Sequence, residues 1–148
     1  MKIRALVLLA ALTVAAPAAF AWAGRPTKPP PTPPNAGAPP PAWIETQARS
    51  AWLAYGSYCW KTACVDMIPP QARPDLPVFR AGRGTMVRVH FGFAARSVNA
   101  SLDGKVARVR LDATKRIVSW RAARGGVLTV FARPAAGDAS YVARLRLG

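Results

Sequence analysis

The only two cysteines of the chain lie close together in the run YGSYCWKTACVDM, residues 55–67. A structural zinc site needs four ligands, and beside Cys59 and Cys64 the chain offers a single histidine, His90. A thioredoxin-like dithiol has two residues between its cysteines at the start of a helix, whereas four intervene here. The spacing therefore favours a disulfide that staples a tight hairpin, as in exported proteins, and we predict neither a metal nor a cofactor.

The sequence offers few side chains that could form a catalytic site. A serine triad needs a histidine as base, and a blue-copper site needs two histidines, so His90 alone supports neither. Three of the six acidic residues fall in turn sequences: Asp103, Asp112 and Asp138. We interpret His90 as an ordinary surface residue and predict no catalytic residue. The alternative, an enzyme or metal-carrying periplasmic protein with an unrecognised site, stays open.

The charge balance is strongly basic, with 21 lysine and arginine residues against 6 acidic ones and a net charge of +15. Such a charge attracts polyanions, although arginine can also serve only to keep a surface soluble. Five arginines fall on the outward positions of predicted strands: Arg88, Arg108, Arg110, Arg144 and Arg146. If those strands share a sheet, the five form one anion-binding face. No aromatic residues interleave with them, so we expect anionic envelope polymers or a membrane surface as partner rather than a specific nucleic acid; any protein partner is left open.

Aromatic residues surround the predicted staple, and they suit two roles. Tryptophan commonly packs on a disulfide in the core of a small sandwich, which is the interpretation we favour for most of them. Trp60, which we place at the hairpin tip, is the candidate for an exposed aromatic contact.

Apolar and polar residues alternate with period two in the segments that carry these residues, which predicts β-strands. The predicted strands are 51–60, 63–67, 77–81, 85–93, 97–102, 105–111, 117–122, 127–133 and 140–147. Asp103-Gly104 supplies the positive φ of a type I′ hairpin turn. A short helix within residues 41–56 is the one helical candidate. We predict an all-β, immunoglobulin-like antiparallel sandwich over residues 43–148.

The N-terminus has the anatomy of a cleavable secretory signal peptide, residues 1–23. A basic start and an apolar run lead to two A-x-A motifs, one permitting a cut before Trp22 and the other before Gly24. There is neither a lipobox cysteine nor a twin-arginine pair, so we expect export by the general secretory route to the periplasm, the cell envelope or the exterior.

Residues 24–42 contain nine prolines among nineteen residues. Because proline fixes φ and lacks an N–H, this segment can form neither a helix interior nor a sheet ladder. Its composition predicts a disordered, extended linker ahead of the domain.

One family resemblance rests on the hexapeptide YGSYCW and the sequence that follows it. Gly56, Ser57, Tyr58, Cys59 and Trp60, then Cys64 and Asp66, resemble the G-S-Y-C-W and C-x-D motifs of a group of small secreted bacterial proteins. The later GGVLTVFARP and GDASYVARLRL are similar to the closing strand pair of that group. The resemblance implies an immunoglobulin-like sandwich outside the cytoplasm, and it implies no activity.

Overall fold

The computed structural model describes residues 21–32 and 37–148 of the 148-residue chain. Most of the predicted signal peptide, residues 1–20, and part of the predicted linker, residues 33–36, lie outside the described residues. The described residues form strands in two sheets that pack face to face, with a single 3-10 turn at Pro70–Ala72. The predicted all-β sandwich is confirmed.

The strands of the described residues follow in chain order. They are β1 (Trp43–Glu45), β2 (Ser50–Trp52), β3 (Ala54–Trp60), β4 (Ala63–Val65), β5 (Val78–Ala81), β6 (Met86–His90), β7 (Ser97–Leu102), β8 (Lys105–Val106), β9 (Arg110–Leu111), β10 (Ile117–Arg121), β11 (Gly126–Arg133) and β12 (Gly137–Leu147). The first sheet has the order β2-β1-β6-β10-β9, and the second has the order β4-β3-β12-β11-β7-β8. In addition, β5 pairs with the C-terminal half of β12, and this pairing is parallel although the others are antiparallel.

The core lies between the inner faces of the two sheets, as period-two alternation requires. Val87 and Val89 of β6 are fully buried, whereas Arg88 between them points to the outer side. Tyr141 and Leu145 of β12 face the same interior from the second sheet. A smaller cluster of Leu76, Val127 and Val142 lies on the outer side of the second sheet.

Most predicted strands are present, and the differences come from long-range pairing. Residues 41–56, where we expected a short helix, form β1 and β2 instead, because β1 inserts between β2 and β6. The predicted strand 105–111 is split: β8 pairs with β7 in the second sheet, and β9 pairs with β10 in the first. The Asp103-Gly104 turn has φ values of 49° and 74°, as a type I′ turn requires.

The described parts of the proline-rich segment lie against the sandwich. The hydroxyl of Tyr55 donates to the carbonyl of Pro39 at 2.9 Å, and that of Tyr141 donates to the carbonyl of Pro40 at 2.6 Å. Upstream, Trp52 Nε1 donates to the carbonyl of Lys28 at 2.6 Å. Prolines offer carbonyl acceptors even though they lack donors, so side-chain donors of the domain can hold them. Around these contacts the segment is part of the folded unit, which differs from the free linker expected from composition.

Candidate functional site

The five outward arginines do not form the single face that a shared sheet would have given. Arg88 and Arg110 belong to the first sheet, whereas Arg144 and Arg146 belong to the second. Arg108 lies in the crossing between β8 and β9. Sequence alternation assigns each arginine to an outward position but carries no information on which sheet a strand joins, and here the sheets present opposite faces.

Arg88 is covered by the N-terminal segment. Its guanidinium carbon lies 3.5 Å from the ring centroid of Trp22, the geometry of a cation–π contact. The same segment covers Glu45, the neighbour of Arg88 in the sheet register, which is only 2 % exposed. Arg88 is therefore unsuitable as an anion-binding residue while this segment is in place.

His90 is held between two partners on that same outer face. Its imidazole stacks on Trp43 at 3.8 Å between ring centroids, and its Nε2 lies 2.6 Å from Glu45 Oε1. The other carboxylate oxygen of Glu45 accepts the N–H of Gly24 at 3.0 Å. The interpretation of His90 as an ordinary surface residue is wrong, because its ring stacks on Trp43, its Nε2 contacts the buried Glu45 carboxylate, and its side chain is 18 % exposed.

A second arginine cluster forms where β5 joins β12, and the sequence analysis missed one of its members. Arg80 is the direct register partner of Arg146, and Arg144 stands two positions away on the same face of β12. Arg80 and Arg146 are exposed, and Arg144 is half-buried. We call Arg80, Arg144 and Arg146 the basic edge. Residues 77–81 were predicted as a strand, but no local signal shows that this strand pairs with β12.

A recess lies next to the basic edge, at the end of the sandwich. It has a volume of about 420 Å³, and both Arg49 and Arg80 line it. Three neutral side chains on its wall can also hydrogen-bond: Thr46, Gln47 and Thr85. Two guanidinium groups with amide and hydroxyl neighbours suit a phosphate, sulfate or carboxylate group.

The carboxylates of the chain are occupied elsewhere. All six acidic residues are described, and among the described residues Arg73–Asp75, at 2.8 Å, is the one arginine–carboxylate pair of side chains within 4 Å. Asp103 and Asp138 accept backbone N–H groups of Val127 and Cys59, and Asp66 accepts the hydroxyl of Ser57. Among the described residues, no aspartate or glutamate side chain forms an ion pair with the basic edge within 4 Å.

Asp112 shows how strongly these acids are committed to the backbone. It accepts the N–H groups of Thr114, Arg116 and Ile117 and the Thr114 hydroxyl. Burial alone would raise its pKa, but these hydrogen bonds together outweigh burial and lower the pKa to about 2. A carboxylate held in this way closes a turn and is unsuited to proton transfer near neutral pH.

The two cysteines form the predicted disulfide. Cys59 and Cys64 are register partners of β3 and β4, with Cα atoms 4.0 Å apart. Trp60, expected at an exposed hairpin tip, is instead the last residue of β3 and packs inward on Phe93 at 5.2 Å between centroids, with 8 % exposure. That aromatic-contact prediction is wrong, because Trp60 follows the strand alternation and Lys61 begins the turn.

The chain matches no family model, no curated protein and no solved structure. The resemblance stated from the G-S-Y-C-W motif therefore stays a prediction. Across residues 21–32 and 37–148 no three histidine, cysteine or acidic side chains gather as a metal site would need, and that part of the chain has no helix long and apolar enough to cross a membrane.

Proposed function

We propose that this protein is an extracytoplasmic, non-enzymatic β-sandwich module that binds anionic envelope polymers through the basic edge and the adjoining recess. The observation that carries the proposal is the side-by-side position of Arg80 and Arg146, neither of which pairs with an aspartate or glutamate side chain of the described residues. Like charges opposite one another on a sheet destabilise it. An anionic group placed between the two guanidinium groups relieves that repulsion and binds in the same step.

The form of the site suits a polymer rather than a small enclosed ligand. The basic edge lies on an open surface, and the recess beside it has room for anionic units of a chain that continues outside. Guanidinium groups bind phosphates and carboxylates in a bidentate manner, with little need for a fixed sequence of sugars or spacers. Affinity would then depend on charge density and fall steeply with salt, because binding releases counterions.

Two observations support a location outside the cytoplasm. The leader sequence has the parts of a secretory signal peptide, and the Cys59–Cys64 disulfide suits an oxidising compartment. A positively charged module there attracts polymers that carry phosphate or carboxylate groups.

The test compares two triple-arginine variants of equal charge. One replaces Arg80, Arg144 and Arg146 of the basic edge with serine, and the control replaces three exposed arginines elsewhere. The control variant is Arg96→Ser, Arg108→Ser and Arg116→Ser. On immobilised heparin and on immobilised teichoic acid, we expect the basic-edge variant to elute at clearly lower salt than the control. Equal elution of the two variants would retire the proposal, since net charge alone would then explain retention.

A further inference from the structure

The N-terminal end of the described chain docks on the first sheet through three consecutive residues. Trp22 stacks on Arg88, the N–H of Ala23 donates to the carbonyl of Thr46 at 3.2 Å, and the N–H of Gly24 donates to the Glu45 carboxylate. Glu45 and Thr46 are 2 % and 3 % exposed. These contacts belong to the folded domain rather than to a leader awaiting removal.

The three contacts separate the two cleavage motifs of the leader. A cut after the motif at residues 19–21 leaves Trp22 at the new N-terminus and keeps all three contacts. A cut after the motif at residues 21–23 removes Trp22 and Ala23, which uncovers Arg88 and takes the donor from the Thr46 carbonyl. A cut there removes one hydrogen bond and one cation–π contact from the folded domain, so the two motifs are not equivalent for the folded product.

We propose that the protein is processed between Ala21 and Trp22, and that the new N-terminus docks on the first sheet over Arg88 and Glu45. In this step a signal peptidase hydrolyses one peptide bond with water. The bond from the Ala21 carbonyl carbon to the Trp22 nitrogen breaks, Ala21 leaves as a carboxylate, and Trp22 gains an α-ammonium group. The apolar leader predicted from the sequence directs the chain to export. The small residues at positions 19 and 21 are the ones that a signal peptidase recognises.

A cut before Gly24 would gain one interaction that the earlier cut lacks. The Gly24 nitrogen would become an ammonium 3.0 Å from a buried carboxylate, and a charge-assisted hydrogen bond is stronger than the amide bond it replaces. Against this, Glu45 is already engaged by His90 at 2.6 Å, and removing Trp22 would open the carboxylate to water. The contact of Trp22 and the burial of Thr46 weigh for the earlier cut.

The leader offers two variants that separate the motifs. Because the cleavage site needs small residues, Ala19→Glu disables only the first motif, and Ala23→Glu disables only the second. The full-length chain and both variants are exported from a bacterial host, and the intact mass of the exported protein is measured. We expect the parent chain and Ala23→Glu to begin at Trp22, and Ala19→Glu to be cut before Gly24 or retained uncut. A parent chain beginning at Gly24, or left uncut, would overturn the proposal.

Docking of the new N-terminus is tested separately, on exported chains of known mass. Trp22→Ala should lower the thermal unfolding temperature by a few degrees, and it should do so much less when Arg88 is already replaced by alanine. Equal effects of Trp22→Ala in both backgrounds would show that Trp22 does not dock on Arg88, and would overturn that half of the proposal. Neither test involves the basic edge, so its outcome is independent of the polymer-binding proposal.

Discussion

Side-chain carboxylates of this chain accept hydrogen bonds from backbone N–H groups, and Asp112 is the clearest case. One side chain accepts three backbone N–H groups and a hydroxyl in the turn that leads into β10. Its turn role could be predicted from the sequence, because aspartate followed by small and polar residues is typical of such turns. The number of its hydrogen bonds could not, since that depends on how the turn is closed by β9 and β10.

The lowered pKa of Asp112 makes its contribution to stability depend on pH. A carboxyl whose folded pKa is depressed stabilises the protein above its unfolded pKa of about 3.9, and the contribution is lost as pH falls towards about 2. We expect Asp112→Ala to lower the free energy of unfolding by about 1–2 kcal/mol at pH 7, with the difference vanishing near pH 2. Denaturant titrations at several pH values measure this.

Arg116→Ala is the matched control for Asp112→Ala, because it alters the same turn but keeps the backbone N–H that Asp112 accepts. It should change stability little at any pH. A constant difference between Asp112→Ala and the parent from pH 7 to pH 2 would contradict the hydrogen-bonding argument.

Two tyrosines fasten the proline-rich segment to the sandwich. Tyr55 and Tyr141 donate to the carbonyls of Pro39 and Pro40. Burial, with a smaller effect of the neighbouring Tyr58, raises the pKa of Tyr55 to about 12; burial, with a smaller effect of Tyr55, raises that of Tyr141 further. Only the protonated hydroxyls can donate, so the fastening depends on both remaining neutral.

Alkaline pH should therefore release the proline-rich segment. A group whose folded pKa is raised stabilises the protein below its unfolded pKa of about 10, and that stability is lost as pH rises towards about 12. We expect the parent chain to lose stability from pH 10 to pH 12, and the Tyr55→Phe, Tyr141→Phe double variant to lose less, from a lower starting value. Absorbance of the ionised phenol measures the titration, and tyrosines that ionise near pH 10 in the folded protein would contradict it.

At the scale of elements, alternation predicted most strands because one face of each is buried and the other is wet. What alternation could not show is the partner of a strand. β1 is three residues long and owes its form to β2 and β6 on either side, and β5 pairs in parallel with a strand some sixty residues later in the chain. The mistaken single arginine face has the same origin, since sheet membership is a long-range property.

Alanine substitutions at two glycines, one in a turn and one at the start of a strand, test how closely neighbouring strands approach. Gly104, with φ of 74°, has open space where a Cβ would stand. Gly137, with φ of 140°, would place a Cβ 2.0 Å from the carbonyl oxygen of Cys59 on β3. We expect Gly104→Ala to cost about 1 kcal/mol of unfolding free energy from backbone strain alone.

Gly137→Ala should cost more, at least about 2–3 kcal/mol, because strain is joined by a clash with backbone that cannot rotate away. Since β3 carries the disulfide, the variant should also oxidise more slowly on refolding. Equal costs of the two alanine variants, measured by denaturant unfolding, would show that β3 and β12 do not approach as closely as described.

At the scale of the whole molecule, the excess of positive charge could be predicted from the composition. The distribution of the arginines over the surface could not. Without Lys2 and Arg4, which lie in the predicted signal peptide, 19 basic residues face 6 acidic ones, and among the described residues five of the six carboxylate side chains form no ion pair with an arginine side chain within 4 Å. A chain of this kind repels itself in the folded state. Its stability should depend on whatever anions surround it.

Salt and polyanions should therefore stabilise the protein in different concentration ranges. Screening shortens the Debye length to about 10 Å at 0.1 M, so the unfolding temperature should rise between about 0.02 and 0.3 M sodium chloride in the parent and in both triple-arginine variants. Heparin, which bridges neighbouring arginines, should raise it at far lower charge concentration in the parent and in the control with Arg96, Arg108 and Arg116 replaced. The basic-edge variant should lose most of the heparin effect while keeping the sodium chloride effect, because general repulsion does not depend on where the arginines lie. Differential scanning fluorimetry gives both dependences, and a heparin effect that survives in the basic-edge variant would place the anion-binding surface elsewhere on the molecule.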